Sequence, residues 1–396
     1  MLKRLYRMAS KVVFSLSMLL AATVVHATDY WKMNMHRGVT PVSKDIYDLH
    51  MTVMIVCIVI AIGTFGVLIF SLIRYRKSQG AVAANFHENL KVEILWTLIP
   101  CFILIGLAIP ATKTLIRLDD ASNADVTIKV IGYQWKWQYQ YLDEGISFFS
   151  NLSTPIAQRQ NKEKKGEWYL LEVDNPIVVP INKKIRFLMT SNDVIHSWWV
   201  PDLGVKKDAI PGFTNESWAK IEKPGTYRGQ CAELCGQNHG FMPIVVKAVP
   251  QKEYDLWVKK AEKVAAPDTA LPKMTMQQLM SKGENLYQTQ CAACHGMEGK
   301  GGVGLPLRGS SVVVGKPIAR HIKLVLNGVP GTAMQAFAAQ LNEKDLAAVL
   351  TYERNAFGND TGDIIQPVDV QNVKNGGGIK PTMKIKKAAI SGEKNA

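Results

Sequence analysis

The sequence predicts a multidomain membrane protein: a two-helix transmembrane hairpin, then an all-β sandwich, then an all-α domain. Three observations predict it. Two long apolar runs, residues 49–73 and 94–116, lie close together in the first third of the chain. Beyond residue 120 short β-branched runs alternate with Gly, Pro, Asn and Asp, the texture of a sandwich or barrel. Beyond residue 275 the pattern turns helical around a Cys-x-x-Cys-His sequence. At 396 residues the chain is too long for one ordinary domain.

Residues 1–27 read as an export signal. Lys3, Arg4, Arg7 and Lys11 lead into an apolar stretch that closes on Val25-His26-Ala27, a small-residue cleavage pattern. A third membrane helix is the alternative. The hairpin occupies residues 28–120. Its first run, about 25 residues or roughly 37 Å of helix, is long enough to cross a bilayer core. The second holds Pro100 and Pro110, which membrane helices tolerate when neighbours support the backbone. Arg74, Arg76 and Lys77 open the connecting loop, so that loop is expected inside and everything after Arg117 outside. An export signal demands the same orientation, which places the soluble part on the periplasmic side of a bacterial inner membrane.

The β domain is expected over residues 121–250. Its strand candidates are 126–130, 168–173, 177–179, 185–189 and 244–246, and residues 151–166 read as a polar insertion loop. Residues 251–275 combine a short charged helix with an Ala/Pro/Lys linker. The helical domain covers 276–358, and its closing helix at 343–356 carries Leu346, Val349, Leu350 and Tyr352 on one side. Residues 359–396 are rich in Lys, Gly and Asn and are expected to be a disordered basic tail. The formal net charge is +14, but much of the excess sits before the first apolar run, after the next, and in the tail. It indicates membrane orientation and a solvated end, not a nucleic-acid footprint.

The densest chemistry is the segment from Cys231 to Met242, with Cys231, Glu233, Cys235, His239 and Met242 inside twelve residues. His196 lies upstream beside Trp198. Thiolate, thioether and imidazole together select copper. One cysteine serves a mononuclear copper site; two can bridge a pair of coppers and spread the charge of a single electron. The expected shell is Cys231 and Cys235 bridging, with His196, His239, Met242 and the Glu233 carbonyl terminal. The competing possibilities are a short-range disulfide between the two cysteines and a core role for His196. Cys57 and Cys101 fall inside apolar runs and carry no such pattern.

Cys291-Ala292-Ala293-Cys294-His295 is a haem-attachment sequence: two thiols to bond the vinyl groups and an imidazole for iron. Zinc would want a second ligand pair, and a redox dithiol a βαβ context, and the neighbouring sequence has neither. Met334, in Gly331-Thr332-Ala333-Met334-Gln335-Ala336-Phe337, offers a sixth ligand. His321 and Met297 are the alternatives; His321 is expected at the surface or the haem edge.

Residues 49–249 resemble subunit II of cytochrome c oxidase. The resemblance is carried by the copper loop, Gly132-Tyr133-Gln134-Trp135-Lys136-Trp137, His196-Ser197-Trp198, Lys207-Asp208-Ala209-Ile210-Pro211-Gly212, Gly240-Phe241-Met242-Pro243-Ile244, and the membrane stretch from Val92 to Pro100. Residues 276–358 resemble a class I cytochrome c, giving the fused, caa3-type arrangement. The resemblance implies a cupredoxin-like sandwich holding a binuclear CuA centre on Cys231, Cys235, His196, His239, Met242 and Glu233. It implies a magnesium ion shared between Glu233 and subunit I. Trp135 becomes the aromatic where electrons enter, and Glu93 the mouth of a proton channel. His295 and Met334 become the axial ligands of a covalent haem c. The implied partners are subunit I, subunit III, a soluble or membrane-bound cytochrome c donor, and membrane lipid. The implied activity is that of an aa3-type oxidase subunit passing electrons to the reduction of O2 to water, coupled to proton pumping. One departure stands out: residues 125–250 hold 15 basic and 13 acidic residues, too balanced to steer a basic donor by charge. Two rivals remain, a quinol-oxidising relative without CuA and a tethered copper and haem carrier; the intact ligand set opposes the first, Glu93 and Glu233 the second.

Overall fold

The computed structural model describes residues 34–82, 85, 87–265 and 271–378. The expected export signal at 1–27 lies outside them. The chain divides into two compact units. One is the helical hairpin with residues 202–204; the other holds the sandwich and the helical domain.

The hairpin consists of α1 (Pro41–Arg74) and α2 (Leu90–Asp119). Helix α1 starts eight residues before its apolar run because Thr40 and Ser43 form a reciprocal capping box and Pro41 occupies the first turn. The apolar stretches have mean hydropathy of 3.0 and 2.3, and none of either stretch is buried. Helices with such surfaces satisfy their own backbone and leave side chains for lipid. Arg117 of α2 pairs with Asp45 of α1.

The sandwich has ten described strands: β1 (Val126–Tyr133), β2 (Lys136–Tyr141), β3 (Ile146–Ser150), β4 (Ile177–Pro180), β5 (Lys184–Ser191), β6 (His196–Val200), β7 (Val205–Ala209), β8 (Asn215–Lys220), β9 (Gly225–Cys231) and β10 (Pro243–Val249). They form two five-stranded sheets, in the orders β3-β2-β1-β5-β8 and β4-β10-β9-β6-β7. β1 and β5 alternate buried and half-buried residues, as one-sided packing requires. Ile128, Trp137, Tyr139, Ile185, Phe187 and Trp198 are completely buried between the sheets. The expected strand at 168–173 does not form. Its aromatic side chains find cations instead of a neighbouring strand: Arg228 lies over the Trp168 ring and Lys165 over the Tyr169 ring. Leu170 also turns the chain with a φ of 61°.

Helix α3 (Gln251–Ala265) packs on the sandwich, with Trp257 against Tyr141 and Phe148. The helical domain comprises α4 (Met276–Leu286), α5 (Ile318–Asn327), α6 (Glu343–Asn355) and α7 (Pro367–Lys374). α4 crosses α6 at Gly283, where a Cβ would sit 2.2 Å from the Ala348 carbonyl oxygen. Only glycine lets the two backbones approach so closely. Leu279, Tyr287, Ile322, Leu346, Leu350 and Val370 fill the shared core. Two expectations are corrected here. Residues 359–378 are not a disordered tail: Gln366 and Asp369 cap α7, Pro367 opens it, and Val370 and Val373 are buried. The few apolar residues are spaced three apart, which suffices to fill a groove even where average composition is polar. Of the two places expected for His321 the surface is ruled out: it is buried, with Nε2 3.0 Å from Glu353 Oε2.

Candidate metal centre and cytochrome site

β9 ends on Cys231, and the loop to β10 carries the other sulfur and imidazole donors. Cys231 Sγ lies 3.8 Å from Cys235 Sγ, 3.9 Å from His196 Nδ1 and 3.4 Å from the Glu233 carbonyl oxygen. Cys235 Sγ lies 3.4 Å from His239 Nδ1 and 3.6 Å from Met242 Sδ. Six donors therefore converge as two sets sharing one sulfur pair. The two thiols are free, and their 3.8 Å separation exceeds a disulfide bond of about 2.05 Å.

Several of the donors are aimed from behind. His196 starts β6, and its Nε2 is 2.8 Å from Asp193 Oδ1, which leaves Nδ1 for a metal. The imidazole occupies space that Gly132 leaves open: a Cβ there would lie 2.6 Å from His196 Cδ2. The Trp137 indole donates to the Met242 carbonyl at 3.1 Å. The Ala232 amide donates to the Ser197 carbonyl at 3.0 Å, tying the loop to β6. Electrostatics split the sulfur pair. A hydrogen bond from the Cys235 thiol, with help from His196, lowers the Cys231 thiol despite burial. Cys235, donating that bond and buried, is raised. Burial works against a charged His196, but Asp193 and Cys231 raise its pKa above the usual value. A thiolate poised beside imidazole, thioether and carbonyl fits a copper pair. The Glu233 side chain points to solvent.

In the helical domain, Cys291 closes a π-helical turn and Cys294 and His295 lie on the next single turn, Ala292–His295. His295 Nδ1 is 2.7 Å from the Leu305 carbonyl oxygen, so Nε2 is free for iron. Both thiols are free. Met334 packs, partly buried, against the domain core. Of its two alternatives, Met297 is exposed, whereas His321 is buried with Nε2 on Glu353. These residues fit a covalent haem with histidine and methionine ligands.

Trp135 is half-buried on the turn between β1 and β2, and its indole donates to the Cys235 carbonyl at 3.1 Å. Gln134 Nε2 donates to the same oxygen at 2.8 Å. Both flanking residues reach the helical domain. Gln335 Nε2 donates to the Gln134 carbonyl at 2.8 Å, and Lys136 Nζ donates to Gln290 at 3.2 Å and to Gln340. Glu93 sits in the first turn of α2, where Oε1 accepts from the Asn89 amide at 3.2 Å. Sequence reasoning did not single out Asp193, Gln134, Lys136 and Gln335 as neighbours of the site. Asp193, three residues before His196, was visible as a partner for it; the interdomain contacts had no local signal.

A family model for the cytochrome c oxidase subunit II periplasmic domain matches residues 126–249. The subunit II transmembrane model matches residues 28–114. The probable cytochrome c oxidase subunit 2 of Rickettsia bellii is 40% identical over 236 residues, 60% of this chain and 86% of that protein. The chain belongs to the cytochrome c oxidase subunit II family. Cytochrome c oxidase subunit 2 of Cyanidium caldarium is 41% identical over 58% of this chain and 90% of its own length. The crystal structure of the periplasmic domain of subunit II (CoxB) of Bradyrhizobium japonicum is 46% identical, covering 37% of this chain and 99% of that one, at a TM-score of 0.33. Residues 278–352 match the model for cytochrome c oxidase, cbb3-type, subunit III. This subunit II is thus a membrane protein with a periplasmic domain and a cytochrome c domain behind it. Its family implies CuA and a place beside subunit I, and its last domain implies haem c.

Proposed function

We propose that this subunit II takes electrons into its own cytochrome domain and hands them to its copper loop across the contact at Gln134–Lys136. The observation that carries this is one residue wide. The Trp135 indole bonds the carbonyl of Cys235, while the residues on either side of it bond the helical domain. When bound, the covalent haem and the copper pair supply one-electron chemistry. Cys291 and Cys294 would hold the haem, and His295 and Met334 would ligate its iron, a pair that favours a high potential. Cys231, Cys235, His196, His239, Met242 and the Glu233 carbonyl would hold copper. Asp193 holds His196 in register, and the sandwich keeps all six donors from moving when charge changes.

The proposal extends to the complex. Electrons leave for subunit I of an aa3-type oxidase, where O2 is reduced to water with proton pumping. Glu93 lies at a proton-channel mouth, and the Glu233 carboxylate meets a magnesium ion shared with subunit I. Subunit III, a cytochrome c donor and the lipid of a bacterial inner membrane complete the surroundings, with the copper and cytochrome domains on the periplasmic side. A linked donor stays at high local concentration, which explains why the sandwich needs no acidic docking face.

Rapid-mixing absorption spectroscopy on the intact oxidase tests the route. Reduced donor should reduce haem c first and CuA second. Trp135→Ala should leave the first phase intact and slow the second by on the order of a hundredfold. Reduction of CuA before haem c would refute the proposal.

A further inference from the structure

Lys136 is used by nothing described so far except as a neighbour of Trp135, yet its surroundings are unusual. It is only 5% exposed. Its ammonium lies 5.3 Å from the ring centre of Phe149, in the sandwich, and 5.0 Å from that of Phe337, in the cytochrome domain. It donates to Gln290 and Gln340, both in the cytochrome domain. Among the described residues no carboxylate lies within ion-pair distance of it. An enclosed lysine without a counter-ion is costly, and an apolar side chain of the same length would fill the space with no desolvation penalty. Packing alone therefore does not account for a charge here.

The residues it touches define where that charge falls. Gln290 immediately precedes Cys291, and Phe337 follows Met334 by three positions. Lys136 thus reaches from the turn bearing Trp135 to both segments that attach and ligate the haem. Two amide acceptors and two ring faces constrain the ammonium from opposite domains, which fixes orientation more than strength. A buried positive charge beside this site disfavours the oxidised, more positive state of the group it faces.

We propose that Lys136 is a positioning residue that sets the cytochrome domain in register over Trp135 and, through its charge, raises the reduction potential of the haem carried by Cys291 and Cys294. Burial pulls its ammonium down to about 8, so it stays mostly charged at neutral pH. Asp193 and Asp174 are the acidic groups that act on it, and both favour the charged form. Cys291 and Cys294 do so as thiolates, an influence that thioether formation removes. The inference rests on the electron route proposed above.

The test is Lys136→Met and Lys136→Arg in the intact oxidase, with the CuA resonance signal confirming an undisturbed copper loop. Two quantities are read: the haem c midpoint potential by redox titration, and the haem-to-CuA transfer rate by rapid mixing. Lys136→Met should lower the potential and slow transfer about tenfold or more, as a loosened register would. Lys136→Arg should restore the potential. A potential unmoved by Lys136→Met, or a transfer rate equal to that of the unaltered oxidase, overturns the proposal while leaving the route intact. If haem c in the unaltered oxidase does not pass electrons to CuA, the route itself fails, and this role with it.

Discussion

The copper loop and the cytochrome site solve one problem in opposite ways. In the copper loop five donors come from twelve consecutive residues and the sixth from an adjacent strand, so β6, β9 and β10 settle the geometry among themselves. In the cytochrome domain the expected ligands lie 39 positions apart in sequence, at His295 and Met334, on segments held together only by the helical core. A sheet makes ligands converge by pairing neighbouring strands. A helical domain must bring distant segments together by packing, so its site depends on contacts far from the chemistry. Damage to the copper site should therefore be local and complete, and damage to the cytochrome site remote and graded.

Three changes sharpen or break that contrast. The largest effect is expected from Cys231→Ser. It removes one of the two thiols proposed to bridge the coppers, so the multi-line mixed-valence copper signal should vanish from the resonance spectrum while the c-type haem absorption stays unchanged. A surviving mixed-valence signal would mean that Cys231 is not a bridging ligand. Next comes Gly283→Ala, remote from every ligand. The added Cβ would meet the Ala348 carbonyl and force α4 from α6, costing about 1–3 kcal/mol. Thermal melting followed at the haem band should shift down, with the copper signal untouched. Equal melting curves would show that the crossing is more yielding than the geometry indicates.

The smallest effect concerns acid. Asp363 bonds Arg354 and Lys316, and these hydrogen bonds outweigh burial to lower its carboxyl pKa. A carboxylate with a lowered folded pKa contributes stability above its unfolded value of about 3.9 and loses it as pH falls through the folded value. The cytochrome domain should thus weaken below about pH 4, and Asp363→Asn should flatten that limb of the stability profile. A profile identical to that of the unaltered chain would remove Asp363 from the account.

Much of this was legible in advance because it was local. Donor spacing within one loop, a haem-attachment pentapeptide and two apolar runs depend on residues close in sequence. The strand at 168–173 failed because alternation cannot tell an aromatic bound for a sheet from one bound for Arg228. Helix α7 was missed because composition averaged over 38 residues conceals two apolar positions that meet a groove. Whether His321 lay at the surface or at the haem edge was left open until Glu353, 32 positions away, was folded against it and buried it.

By itself the sequence determined which atoms this protein can offer to a metal or a haem and which stretches are long and apolar enough to cross a membrane, since side-chain identity and run length are covalent facts. Only the tertiary structure decided that Gln134 and Lys136 meet Gln335, Gln290 and Gln340. Those partners lie 154 to 204 positions apart. Contacts at that separation come from packing two domains together, and no local pattern in either strand or helix encodes them.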